Sequence, residues 1–208
     1  MRAKVAIVDY GAGNLRSVRQ AFTYLDADVE VVSDPCRLVG FSHLVLPGVG
    51  SFRRAVLSIQ KRGLDQVLRD RLEEGVPVLG ICLGMQLLAS RSSEDGETYG
   101  LGLIEGDVDR FAFPPASTGL KIPHVGFASV TPRPQSKLFS GLQEDIDFYF
   151  THSYRMQSKC SSSIAGTAWH GEPFVAAIEK GVLAGTQFHP EKSQANGLRL
   201  LTNFLEKF

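Results

Sequence analysis

The sequence predicts an α/β fold: a central, mostly parallel sheet flanked by helices, with antiparallel additions in the C-terminal half. Three observations predict it. Short runs such as Val5-Ala6-Ile7-Val8 and His43-Leu44-Val45-Leu46 are apolar without alternation, as in strands buried on both faces. Amphipathic stretches of helical spacing separate them, and strands joined through helices imply parallel pairing. In the second half Pro114-Pro115, Pro132-Arg133-Pro134 and Ser161-Ser162-Ser163 punctuate shorter apolar segments.

Taken in order, Val5–Val8 is the first strand, and Gly11-Ala12-Gly13-Asn14 turns the chain. Leu15, Val18, Ala21, Phe22 and Leu25 then share a helical face. Val29–Val32 and His43–Leu46 follow as strands, and Pro47-Gly48-Val49-Gly50 breaks the latter. Helices are expected from Phe52 to about Gln60 and from Leu64 to about Glu74. Val76–Ile81 is a fourth strand, and Met85–Ala89 opens another helix. Later, Ile146–Phe150, Phe174–Ile178 and Val182–Thr186 read as antiparallel strands or hairpin arms. Leu198, Leu201 and Leu205 mark a closing helix. The expectation is one domain over residues 1–208.

Composition narrows the function classes. Of 208 residues, 43% are apolar, and 22 Lys plus Arg balance 22 Asp plus Glu, so no net charge argues for nucleic acid or an anionic membrane surface. The longest apolar runs, such as Val76–Cys82, are too short to span a bilayer, and the first apolar run ends at Asp9, too early for a signal peptide. Three cysteines without a CxxC pair give neither a disulfide framework nor a zinc site, and a reduced, cytoplasmic setting is the expectation. No two histidines have metal-ligand spacing, so no metal is expected.

Gly80-Ile81-Cys82-Leu83-Gly84 joins a strand to a helix. In hydrolases such a turn exposes the nucleophile at its apex, with flanking glycines relieving crowding. A helix N-terminus there favours thiolate, and the N–H of Leu83 can stabilise an oxyanion. The motif alone fits equally well a buried thiol at the end of a core strand. Cys36 and Cys160 lack such surroundings and read as structural. A thiolate acting on an amide needs an acid/base. His189, in Gln187-Phe188-His189-Pro190-Glu191-Lys192, follows a predicted strand and has Glu191 close enough to orient its ring. His152 and His124 also lie near strand ends and stand in reserve; His43 and His170 lack that context.

Several segments carry a family resemblance: Asp9-Tyr10-Gly11-Ala12-Gly13-Asn14-Leu15-Arg16-Ser17-Val18, Leu46–Gly50, Gly80–Leu88, Phe148–Tyr154 and Gln187–Ser193. On these the chain resembles the class I, triad-type glutamine amidotransferases over nearly its whole length. Within them it is most similar to the glutaminase subunits of imidazole glycerol phosphate synthases, of histidine biosynthesis. The resemblance implies a flavodoxin-like sheet and a Cys82–His189–Glu191 triad that hydrolyses L-glutamine without metal or organic cofactor. It implies that Gly48, Val49, Gly50 and Leu83 serve the oxyanion and the glutamine pocket. It further implies that Gln86 and Glu94 hold the glutamine head, and that His152, Ser153 and Tyr154 line the same pocket. Asn14, Phe127, Tyr149 and Lys192 match positions facing a (β/α)8-barrel cyclase, the partner in a heterodimer that receives the ammonia.

One departure bears on the partner. After Lys121-Ile122-Pro123-His124 the family usually continues Met-Gly-Trp-Asn, and here stands Val125-Gly126-Phe127-Ala128. The aromatic survives, but the indole N–H and the asparagine amide are gone. Three readings therefore stay open: the histidine-pathway glutaminase, a paralogue feeding sugar amidation for surface polysaccharides, and a catalytically silent binding or regulatory module. The intact Cys82, His189 and Glu191 argue against the last.

Overall fold

The computed structural model describes residues 2–113, 119–142 and 146–208; the Pro114-Pro115 break lies outside them. Its first half runs β1 (Lys4–Val8), α1 (Leu15–Tyr24), β2 (Asp28–Val32), β3 (His43–Gly48), α2 (Phe52–Lys61), α3 (Leu64–Glu73), β4 (Val78–Cys82) and α4 (Leu83–Leu87). The second half adds β5 (Arg91–Ser92), β6 (Thr98–Tyr99), β7 (Gly106–Arg110), β8 (His124–Pro132), β9 (Ile146–His152) and β10 (Tyr154–Ser158). It ends with β11 (Ile164–His170), β12 (Glu172–Lys180), β13 (Leu183–Thr186) and α5 (Gln194–Lys207). Nine strands form one sheet in the order β2-β1-β3-β4-β13-β12-β11-β8-β9, and β10-β7-β5-β6 form a smaller one.

Neighbouring residues of the central strands feed opposite layers. Val5 and Ile7 pack towards α1 and α5, where Phe22, Phe148, Phe188 and Phe204 are fully buried. Ala6, Val8, Leu44 and Leu46 pack the other way, among Phe52, Ile59, Leu64 and Leu68 of α2 and α3. With both faces covered no polar position is left, which is why these strands read as continuous apolar runs. Each fully buried phenylalanine contributes on the order of 2–3 kcal/mol through the area it removes from water.

The expected helical face of α1 is buried at Val18, Ala21 and Phe22, and the helix stops where Asp26 turns left-handed at φ 61°. In α5 the buried stripe is centred on Leu200, Leu201 and Phe204, with Leu198 and Leu205 on its flanks, so the face is rotated from the one expected.

Two expectations change. Leu183–Thr186 is antiparallel to β12, as a hairpin arm should be, yet its other edge pairs parallel with β4, so it is the strand where the sheet changes sense. The fourth helix starts at Leu83, directly after the strand, where Met85 was expected, because Cys82 alone makes the turn. Strands β5, β6, β7, β8, β10 and β11 have no counterpart in the reading of the sequence. Their inward positions include polar residues such as Arg155, which is buried because it pairs with Glu172 at 2.7 Å. Among the described residues no helix is long and apolar enough to cross a membrane.

Candidate active site

The sharpest backbone feature lies between β4 and α4. Cys82 sits at φ 55°, ψ −110°, a conformation that costs a non-glycine residue on the order of 1–3 kcal/mol. Packing enforces it. A Cβ on Gly84 would lie 1.7 Å from the Leu46 carbonyl oxygen, and one on Gly80 would lie 2.8 Å from backbone atoms of Gly84 and Met85. The chain thus doubles back against β3 and itself, which only glycine on either side of the cysteine permits. Gly48, at the end of β3, is equally closed in: its Cβ would meet Tyr10 Oη at 2.5 Å and Leu83 Cβ at 2.8 Å. Tyr10 Oη donates to the Pro47 carbonyl at 2.8 Å, and burial, then the charges of Cys82 and Asp9, raise its phenol so that it stays a donor.

His189 enters from the end of the neighbouring strand β13. Its Nδ1 is 2.8 Å from Glu191 Oε1, and both side chains are withdrawn from solvent. The carboxylate can only accept, so Nδ1 carries hydrogen and Nε2 is left to serve Cys82. Burial opposes an imidazolium here, yet Cys82 and Glu191 together raise His189 to about 9. His189 is stitched to β9: its N–H donates to the Tyr149 carbonyl at 2.9 Å. Ser193 Oγ donates to the His189 carbonyl at 2.6 Å and accepts from the Tyr149 N–H at 3.0 Å. Ser193 had no role assigned from sequence; its hydroxyl closes this loop.

A pocket of about 380 Å³ opens over the cysteine, lined by Val49, Gly50, Cys82, Leu83, Gln86, Glu94, Pro123, Thr151, His152, Ser153 and Tyr154. Of the sequence-derived pocket residues only Gly48 is not on its wall; the clearance it leaves for Tyr10 and Leu83 is its contribution. Pro123 and Thr151 were not singled out beforehand. Glu94 Oε2 accepts from the Phe52 N–H at 2.9 Å at the start of α2, while burial raises its carboxyl above the ordinary carboxylate range. Gln86 Nε2 donates to the Tyr154 carbonyl at 2.8 Å, so its oxygen is the end left for a ligand.

His152 Nδ1 donates to the Tyr154 carbonyl at 2.8 Å, and its Nε2 then accepts from His124 Nδ1 at 3.3 Å. His124 in turn stacks on His170 with ring centres 4.1 Å apart. Burial lowers His152 to about 3 and His124 to about 4, so both rings are neutral. With both nitrogens engaged, His152 is a wall of the site, and His189 is the ring free to act as base. Among the described residues no three His, Cys, Asp or Glu side chains are grouped to hold a metal ion.

On the outer face of β8 and β9, Phe127 packs edge-on against Tyr149 at 5.6 Å, and Lys192 Nζ lies 5.4 Å from the Tyr149 ring centre. Phe127 is 51% exposed and Val125 beside it 59%, leaving an apolar patch with a cation at its edge. Asn14 directly precedes α1, which packs against the turn holding Lys192, and its side chain makes no capping bond. Ala128, next to Phe127, packs on the opposite face, against the core.

The class-I glutamine amidotransferase family matches residues 6–208. The chain is 46% identical over 203 residues to the imidazole glycerol phosphate synthase subunit HisH of Moorella thermoacetica, covering 97% of this chain and 94% of that one. It is also 46% identical to the subunit of that name from Chlorobium luteolum, with 97% and 99% covered. A 43% match to the HisH 2 subunit of Nitrobacter winogradskyi covers 98% of both chains. Among solved structures, PurLQS from Thermotoga maritima superposes with a TM-score of 0.77 at 16% identity, covering 99% of this chain and 98% of that one. A glutamine amidotransferase crystal structure gives 0.75 at 22%, with 97% of each chain covered. At those identities the structures speak for the fold alone.

Proposed function

This chain belongs to the class-I glutamine amidotransferases, and from that premise we propose that it is the glutaminase subunit of a cytoplasmic imidazole glycerol phosphate synthase. It hydrolyses L-glutamine and passes the ammonia to a (β/α)8-barrel cyclase bound across Phe127, Tyr149, Lys192 and Asn14. The observation that carries the chemistry is Cys82, held at positive φ on the wall of a 380 Å³ pocket, beside a histidine oriented by a buried carboxylate.

Glutamine enters with its head group towards Glu94 and the free oxygen of Gln86, and its carboxamide over Cys82. The sulfur attacks the amide carbon while the Leu83 N–H and an N–H of the Val49–Gly50 segment hold the developing oxyanion. His189, protonated at neutral pH because of Cys82 and Glu191, gives its proton to the leaving nitrogen, and ammonia departs from the thioester. Acylation removes the charge on sulfur that helped hold that proton, while burial remains. His189 therefore drops in pKa and becomes the base that takes a proton from water. Hydroxide adds to the thioester, the adduct collapses to expel sulfur as thiolate beside the still-protonated His189, and glutamic acid leaves. The balance is glutamine plus water to glutamate plus ammonia.

Ammonia is useful to an acceptor only unprotonated, so the exit must be sealed by the partner. Cys82→Ala, reconstituted with the cyclase, is expected to abolish glutamine-dependent synthesis and leave synthesis from ammonium salts intact. Loss of both together would refute the division of labour. The relatives named above are all subunits of this synthase, which favours the histidine pathway over sugar amidation.

A further inference from the structure

The nucleophile has a polar neighbour that the mechanism above does not use. Gln187 is fully buried at the end of β13, and its Nε2 donates towards Cys82 Sγ across 3.8 Å. Gln187 Oε1 accepts from Gln86 Nε2 at 2.9 Å, and the same Gln86 nitrogen donates to the Tyr154 carbonyl at 2.8 Å. A backbone carbonyl can only accept, so it dictates which end of the Gln86 amide faces it. The second hydrogen of that NH2 then requires the oxygen of Gln187. The NH2 of Gln187 is thereby turned to the sulfur.

Besides His189, two groups face the Cys82 sulfur with opposite hydrogen-bonding demands. The Thr151 carbonyl, 4.0 Å from Sγ, can bond to the sulfur only through a thiol hydrogen. Gln187 can be satisfied only by a sulfur lone pair, and most fully by a thiolate. We propose that Gln187 is a positioning residue for the nucleophile. Oriented by a relay of amides that begins at the Tyr154 carbonyl, it holds the thiolate and aims it at the substrate carbon. The side chain is not needed for the strand itself, because the Gln187 N–H already donates to the Ala176 carbonyl at 2.8 Å. Tyr154 and Gln86 also line the pocket, so a ligand that turned the Gln86 amide would act on the sulfur through the same relay.

The inference rests on the reading of Cys82 as nucleophile, and the experiment separates the two. In a background with the exposed Cys36 and Cys160 changed to serine, iodoacetamide alkylation of Cys82 is followed against pH, beside glutamine hydrolysis with the cyclase present. Gln187→Met removes the donor at similar volume; Gln187→Glu keeps an oxygen for Gln86 but has no NH2 for the sulfur. Both are expected to move the alkylation profile up by about one pH unit, about tenfold slower labelling below the midpoint, and to lower kcat more than they raise KM. If Gln187→Met does not fold, Gln187→Glu supplies the same comparison. Either variant alkylating with the parent profile overturns the relay. Hydrolysis that survives Cys82→Ser overturns the nucleophile reading instead.

Discussion

Gly84→Ala is the most exacting test of how the elbow is built. The new Cβ would start 1.7 Å from the Leu46 carbonyl oxygen, and real Cβ atoms essentially never approach within 3.0 Å, so strand and elbow must part by about 1.3 Å. Both sides of that contact are backbone, so no side chain can swing away. Helix propensity alone predicts the opposite sign, since alanine improves on glycine within a helix by about 1 kcal/mol. Overpacking of this kind costs about 1–3 kcal/mol, and with no flexible neighbour the upper end applies. For a chain of this size that lowers Tm by about 6–12 °C. Displacing the nucleophile by about 1 Å is expected to reduce glutamine hydrolysis about a hundredfold. Thermal unfolding and steady-state glutaminase rates with the cyclase present measure the two effects. Gly40→Ala, with nothing within 4 Å of its Cβ and no positive φ, is the control and should change neither. A Gly84→Ala protein with parental Tm and rate would refute the argument that close approach, and not mere flexibility, places glycine there.

Glu191→Gln keeps an oxygen for His189 Nδ1 but removes the charge that helps raise the ring, so its pKa falls. The kcat–pH limb that needs protonated His189 should move to lower pH, with kcat down by at least about a hundredfold; an unmoved limb would mean that Glu191 is structural only. The neutral imidazoles predict acid sensitivity. His152 is held near 3 when folded and returns to about 6.5 when unfolded, so below pH 6.5 the unfolded chain binds more protons and stability falls. At pH 5 the loss from His152 is about 2 kcal/mol, and His124 acts in the same direction. Urea unfolding at pH 7.5 and pH 5.0 should show this difference shrinking in His152→Gln, and an unchanged difference would sink the account.

The parallel half of the sheet was legible because burial on both faces leaves only apolar residues, and continuous apolar runs between amphipathic ones admit few other folds. The proposed nucleophile and base stood out too, since Gly80-Ile81-Cys82-Leu83-Gly84 and His189-Pro190-Glu191 are contiguous motifs whose geometry depends on adjacent residues. Much of the antiparallel half was not. Arg155 of β10, His124 of β8 and His170 of β11 sit inward, satisfied by partners seventeen or more residues away, so polar residues interrupt the apolar pattern of these strands.

What the sequence by itself determined is therefore local: the strands of the parallel core, the glycine-flanked turn, and the pairing of His189 with Glu191 two residues on. Only the tertiary structure decided that β13 lies against β4, which brings His189 and Gln187 to Cys82 across more than a hundred residues of chain. It also set the histidines apart, engaging both nitrogens of His152 and leaving one of His189 free, which supports the sequence-based choice of His189 as the proposed base. The physical reason is the range of the interactions. Backbone sterics and side-chain burial act over a few residues and leave a mark in the sequence. Hydrogen-bond direction and desolvation depend on whatever the fold sets alongside, and no window of sequence contains that.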